Sequence, residues 1–334
     1  MFKGFRKENT PSTPELATLN SFNYPHILMW FVMSMAIPEE DLQKQQRACK
    51  IAREVREEMR RTVKEGMPII DICEKAENLT REKGGKPAFP CNVSVNEVAA
   101  HYTSPPNDKQ TIPERSIVKV DIGVHIDGFI ADTAATVCFH PEYVDMVNTA
   151  EEALEKAVEI LRPGLSMTRF GSAIQKVIKT RGFKPVSNLT GHLIRRYIIH
   201  AGKSLPNVFN LSTSRVKEGE VYGVEPFVTV ANATGRVDNL QEAYIFRYQK
   251  NKSLKNPYAK QILKYIKQNF LTLPFTERWL NKFASSSHYK SAFSELLSSK
   301  SVMSYPVFIE ASRNLVAQAE YTIMIVKDGC VVLT

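Results

Sequence analysis

The sequence has no CxxC pair, and its five cysteines (Cys49, Cys73, Cys91, Cys138 and Cys330) are scattered singly along 334 residues. Their odd number and wide spacing argue against both a disulfide framework and a thiolate metal site. A reducing cytoplasm is the compartment this usage predicts. A bilayer-spanning run is also missing. The only targeting candidate, Ile27 to Ile37 (ILMWFVMSMAI) behind a slightly basic start, is too short, and no A-x-A cleavage site follows it. No tract of lysine and arginine stands out either. The net charge of +9 permits attraction to nucleic acid, ribosome or anionic membrane, but its dispersal reads as a generally basic solvated surface, with no DNA partner.

What is present is the composition of a globular protein. Hydrophobic residues at 43% and charged ones at 24% supply a sizeable core for one large domain or two ordinary ones. Residues 1–37 stand outside it. They read as a poorly ordered extension, as an upstream extension of the reading frame with Met35 as the true start, or as a membrane-interacting leader.

From Glu39 to Val63, Leu42, Ala48, Ile51, Val55, Met59 and Val63 recur at helical spacing, which predicts an amphipathic helix ending at Gly66. A second such stretch, Ile69 to Lys83, stops at Gly84-Gly85. The pattern then recurs. KEGMPIIDICEKAENLTREKGGKP (Lys64 to Pro87) aligns without a gap to RPGLSMTRFGSAIQKVIKTRGFKP (Arg162 to Pro185) at a constant offset of 98. The matched glycines and prolines stand where helices must end, so the repeated unit is helix, helix, strands. Two similar halves facing each other are expected, with a site in the cleft between them. Residues 251–304 break the pattern as a lysine- and serine-rich helical insertion, before strand-like runs return at Ser301 to Phe308 and Leu315 to Val332.

Chemistry concentrates in four segments. VDIGVHIDGFIADT carries Asp121 and Asp132 on the two arms of a hairpin; a two-residue turn at Ile126-Asp127 would set them directly opposite each other. Two opposed carboxylates among Val118, Val120, Ile122, Phe129 and Ile130 repel and resist desolvation, and a divalent cation is the simplest counter-ion. In an ordinary hairpin, though, such a pair points to solvent. TGHLIRRYIIHAG adds His192 and His200, VYGVEPFVTV puts Glu225 inside an apolar strand, and LVAQAEYTIMIV does so with Glu320. Singly, each has a bland reading as a satisfied core histidine or a paired glutamate. Five ligand-type residues on separate strands, with no cysteine among them, suit a pair of metals.

The strings AFPCNVSVNEVAAHYTSP, KVDIGVHIDGFIADTA, GFKPVSNLTGHLIRRYIIHAG, GVEPF, TLPFTERWL and YPVFIEASRNLVAQAEYT, in this order and spacing, resemble the type 2 methionine aminopeptidases, above all the short archaeal kind. The resemblance covers Pro38 to the C-terminus. It implies an α+β pitta-bread fold of two pseudo-symmetric halves, residues 38–250 with 305–334, clasping a dinuclear site. By that resemblance Asp121 chelates one ion, Asp132 and Glu320 bridge both, and His192 and Glu225 complete the set. An oxygen-rich site of this kind suits Co, Mn, Fe or Zn. The implied reaction removes N-terminal methionine from nascent chains and peptides, a metal-bridging hydroxide attacking the first peptide bond. Glu225 is then the proton shuttle, His200 bonds the carbonyl oxygen, and His101 contacts the substrate near the scissile bond. Phe89, Ile199, Phe227 and Tyr305 map to the methionine pocket; ordinary core packing is the alternative reading for them, most strongly for Phe227.

The chain departs from the family's usual QFEHT at Ala319 and Tyr321, beside Glu320. Ala319 removes an aromatic wall, and Tyr321 replaces a histidine. Two other readings stay open at this point: a non-enzymatic pitta-bread protein that binds RNA or ribosomes, and a related X-Pro peptidase. Ribosome association is compatible with the first of these and with the enzyme, which is expected to be a monomer.

Overall fold

In the computed structural model, which describes residues 38–284 and 286–334, the first half opens with helices α1 (Glu39–Thr62) and α2 (Ile69–Glu82). The expectations for residues 1–37 lie outside the described residues. Helix α1 lays Leu42, Ala48, Ile51, Val55 and Met59 on the sheet and stops at Thr62, four residues before Gly66. Val63 is already extended there, and Gly66, with φ 77°, instead closes the next turn by donating its N–H to the Ile112 carbonyl. Short strands β1 (Lys86–Pro87), β2 (Asn92–Val95) and β3 (Val98–Ala100) follow, then the long hairpin β4 (Ile117–Ile126) and β5 (Phe129–Cys138). Strands β1 and β2 pair with successive parts of one edge of β4, and β5 takes the other edge.

The hairpin register corrects the expected opposition of the two aspartates. Ile126 pairs with Phe129, so the turn residues are Asp127 and Gly128, both at positive φ (48° and 87°), the requirement of a type I′ turn. Asp121 therefore faces Ala134 and Asp132 faces Gly123, which puts the carboxylates diagonally on one face rather than directly opposite. A Cβ at Gly128 would lie 2.3 Å from the Tyr197 ring. Gly128→Ala is expected to destabilise the chain by about 2 kcal/mol, from left-handed strain and overpacking together. Urea denaturation measures this; an unchanged midpoint would contradict the turn assignment.

The second half repeats the first with its helix ends at the same offset. Helices α3 (Val144–Ile160) and α4 (Met167–Thr180) end 98 positions after α1 and α2, and β6 (Lys184–Pro185) answers β1. Gly84 and Gly182, both at φ 83°, close α2 and α4 with the same bonds, Gly84 N–H to the Arg81 carbonyl and Gly182 N–H to that of Lys179. Strands β7 (Thr190–Ile194), β8 (Ser204–Pro206), β9 (Val221–Val224) and β10 (Phe227–Thr229) follow, and Met146, Phe170, Ile174, Leu193, Tyr222 and Ile323 fill the core behind them.

Strand β11 (Val237–Tyr248) leads into the helical insertion: α5 (Pro257–Phe270), α6 (Asn281–Ala284) and α7 (Tyr289–Ser298) pack Ile262, Ile266, Leu280 and Leu296 around Phe275 and Phe293 as a core of their own. Strand β12 (Val302–Glu310) returns beside β11 and also pairs with β3 of the first half. Strands β13 (Val316–Gln318), β14 (Tyr321–Val326) and β15 (Gly329–Val332) close the chain, β13 on β10 and β14 on β9. The second half thus contributes one five-stranded sheet, in the order β15-β14-β9-β7-β8, and one three-stranded sheet, β13-β10-β6.

Candidate active site

Glu225 and Glu320 do not lie inside strands as their apolar surroundings suggest. Glu225 occupies the break between β9 and β10, and Glu320 the break between β13 and β14. At both breaks the chain passes from one sheet to the other. This frees a residue from the alternation that would bury its side chain in a layer, so both glutamates turn into the seam between the halves. Asp132 reaches the same seam from β5: Ala134 and Glu320 exchange backbone hydrogen bonds, and the Thr322 hydroxyl bonds the Asp132 backbone at 2.7 Å.

Asp132, His192 and Glu320 offer ligand atoms that all lie within 4.8 Å of one another. His192 Nε2 stands 3.4 Å from Asp132 Oδ2 and 3.6 Å from Glu225 Oε1. The other oxygen of Glu225 accepts from Gln318 Nε2 at 3.2 Å. Asp121 lies outside the tight trio but lines the same cavity of 470 Å³, as do Glu225, His101 and His200. Beneath the trio is Gly223, the cross-strand partner of His192: a Cβ there would sit 3.0 Å from Glu320 Oε1 and 3.1 Å from the His192 ring.

The electrostatics are those of a site built for cations. Burial, then the charge of Asp132, pushes the Asp121 carboxyl well above the usual range; burial, then neighbouring aspartates, does so for Glu225 and Glu320. Burial raises Asp132 to about 7. Burial also lowers His192 to about 4, so its imidazole is neutral and its lone pair free at neutral pH. Asp121 Oδ1, Asp132 Oδ1 and both oxygens of Glu320 are shut off from solvent with no hydrogen-bond partner among the described residues. Buried acceptors left bare in this way are unfavourable unless something positive meets them. Divalent ions fit this donor set.

Two further histidines flank the cluster. The His200 ring lies 4.4 Å from that of His192. His101 sits at φ 65°, a left-handed conformation costly for a side chain of its size, and its Nδ1 lies 3.3 Å from the Pro306 carbonyl. Burial holds both neutral, at about 3 for His200 and about 4 for His101. The apolar wall contains all four expected pocket residues, Phe89, Ile199, Phe227 and Tyr305, with Ile245 and Phe308 beside them. Gly123 lets Phe89 lie flat, since a Cβ there would meet that ring at 2.2 Å. Gln318, Thr133, Thr322 and Gly223 were not foreseen as site residues; the only trace they leave is a threonine one or two residues after Asp132 and Glu320.

Residues 43–247 match the model of metallopeptidase family M24. A methionine aminopeptidase of Thermococcus onnurineus is 42% identical over 289 residues, 86% of this chain and 97% of the relative. Among solved structures, a thermophilic Arx1 superposes with a TM-score of 0.75 at 22% identity, covering 89% of this chain and 91% of that one. A methionine aminopeptidase of Thermotoga maritima gives 0.64 at 19%, covering 90% and 98%. These likenesses show the fold, the pitta-bread arrangement that the resemblance implied and with which the repeat agrees. Among the described residues no helix is long and apolar enough to cross a membrane. The family match and the extent of the archaeal identity together mean that this chain belongs to metallopeptidase family M24, in the group of the methionine aminopeptidases.

Proposed function

We propose that this chain removes the N-terminal methionine from peptides and nascent proteins in a metal-dependent reaction. The observation that carries this reading is the convergence of bare carboxylates and a neutral imidazole on one apolar-walled cavity. Asp121, Asp132, His192, Glu225 and Glu320 would hold two ions of Mn, Fe, Co or Zn. When bound, such ions polarise the scissile carbonyl and activate water. Glu225, steadied by Gln318, carries the proton from water to the leaving amine. His101 donates its Nδ1 proton to the Pro306 carbonyl, which leaves Nε2 as an acceptor for the N–H of the substrate's second residue. His200 donates to the carbonyl oxygen as charge develops there. Phe89, Ile199, Phe227 and Tyr305 select methionine by fit.

The partner of finer resolution is the nascent chain at the ribosome. Basic residues are dispersed along the sequence, but the net charge is not: residues 251–304 carry eight lysines and one arginine against two glutamates, seven of the nine net charges. Lys252, Lys260, Lys264 and Lys267 share one groove on this insertion with no carboxylate among them. That surface suits docking beside ribosomal RNA in the cytoplasm, with the chain acting as a monomer.

The test is hydrolysis of Met-Ala-Ser and Leu-Pro-Ser with added Mn, Co or Fe, with Asp132→Asn as control. Metal-dependent release of methionine from the first peptide, lost in the control, is the expected result. No metal-dependent release by the intact chain would overturn the reading, and faster cleavage of Leu-Pro-Ser would reassign the activity to an X-Pro peptidase.

A further inference from the structure

Helix α1 turns one arginine inward. Arg47, Arg53, Arg60 and Arg61 are exposed, whereas Arg56 is 6% exposed. Its Nη1 donates to Thr133 Oγ1 at 2.5 Å, and that hydroxyl donates onward to the Glu320 carbonyl at 2.8 Å. Its guanidinium lies over the Tyr321 ring, 4.9 Å from the centroid, while Nε and Nη2 hold Glu57 Oε1 at the helix surface. Thr133 directly follows Asp132, and Tyr321 directly follows Glu320. One side chain therefore grips the residues next to two carboxylates that arrive from opposite halves of the fold.

Burying a guanidinium is unfavourable unless every face of it is used. Here the hydroxyl of Thr133, the carboxylate of Glu57 and the negative face of the Tyr321 ring use them. A histidine in place of Tyr321 could itself become cationic against Arg56; the tyrosine ring cannot. The unusual residue beside Glu320 thus has a partner.

We propose that Arg56 is a positioning residue that fixes the separation of Asp132 and Glu320, with Tyr321 as the platform on which its guanidinium rests. The inference rests on the metal-site reading above. It predicts an effect on ion affinity, because the arginine touches neither substrate nor ligand oxygen and acts only through the strands that carry them.

The experiment titrates the full-length, metal-stripped chain with Mn²⁺ by calorimetry and records the Co²⁺ absorption bands, which report ligand geometry. Arg56→Met is expected to weaken Mn²⁺ binding about 10- to 100-fold and to alter the Co²⁺ bands. Arg56→Lys, which keeps the charge without the fork, recovers only part of that loss. Tyr321→Phe, which keeps the ring, binds within about twofold of the parent, and Tyr321→Leu binds more weakly; this pair decides the matter alone should Arg56→Met fail to fold. Parental affinity and spectrum in Arg56→Met and Tyr321→Leu, with only the melting temperature lowered, would reduce the arginine to a structural tie and overturn the proposal. A parent chain that takes up no Mn²⁺ at all overturns the metal reading and the proposal with it.

Discussion

Glu320→Gln is expected to lower metal-dependent kcat/KM at least a thousandfold and, at the same time, to raise the melting temperature of the metal-free chain. Both effects follow from the same crowding. Glu320 is 1% exposed, neither oxygen has a hydrogen-bond partner among the described residues, and Asp132, Glu225 and Asp121 all face it. Without ions, this carboxylate is desolvated and repelled with nothing to offset either term, so an isosteric amide relieves about 1–2 kcal/mol. With ions, the same oxygens are proposed ligands, and the amide removes a charge the ions need; a thousandfold loss corresponds to about 4 kcal/mol of transition-state stabilisation. Thermal melts with chelator and with Mn²⁺ separate the two effects. The parent gains stability on adding Mn²⁺, and Glu320→Gln gains little. If the variant were less stable than the parent in chelator, the cluster would not be the repulsive site described here.

Asp132 contributes to the acid dependence of the metal-free chain with a definite sign. Asp132 has its carboxyl raised from an ordinary 3.8 to about 7. Between those values the native chain binds more protons than the unfolded chain, so the contribution of this group to stability falls as pH rises through the window. The buried histidines, lowered to about 3 to 4, act in the opposite sense over the same window, so the Asp132 contribution is read against Asp132→Asn: from pH 7.5 to pH 5 the metal-free parent should gain stability relative to that variant.

The sequence revealed the halves more fully than it revealed the seam between them. The 98-residue offset is legible because Gly84 and Gly182 close helices through bonds to the carbonyls three positions back, and the residues after them, Gly85 and Phe183, bond those five positions back. Such requirements are local and leave a local mark. The hairpin register was misjudged because HIDG admits two adjacent turns, and only the positive φ of both Asp127 and Gly128 selects between them. Glu225 and Glu320 stand out in the sequence as charges in apolar runs, a pattern that reads as strand. Their strand breaks arise where the chain changes sheets, a requirement set by partners far away in sequence. Arg56 left only a faint mark, its place on the helix face shared with Ala52 and Met59; what it holds is set by the strand 77 residues away.

The same logic applies to TLPFTERWL, which contributed to the family resemblance but whose arginine holds the insertion onto the first half. Arg278 places Nη2 2.7 Å from Glu77 Oε1 and Nη1 3.1 Å from Oε2, donates Nε to the Ser104 carbonyl, and is followed by Trp279, whose Nε1 also donates to Glu77 at 2.7 Å. The side chains of the pair are only 6% and 3% exposed. A forked, water-excluded pair gains little over an apolar one of the same shape, but deleting one partner strands a buried charge. Glu77→Leu or Arg278→Met alone is therefore expected to destabilise the chain by about 3–5 kcal/mol, while the double variant Glu77→Leu with Arg278→Met recovers much of that loss. Pro274, four residues before Arg278, lines the cavity, so single variants that stay folded should also show a raised KM for methionyl peptides. Urea denaturation of the four chains measures the coupling. Single losses below about 1 kcal/mol would mean that the core around Phe275 and Phe293 holds the insertion in place without this clasp.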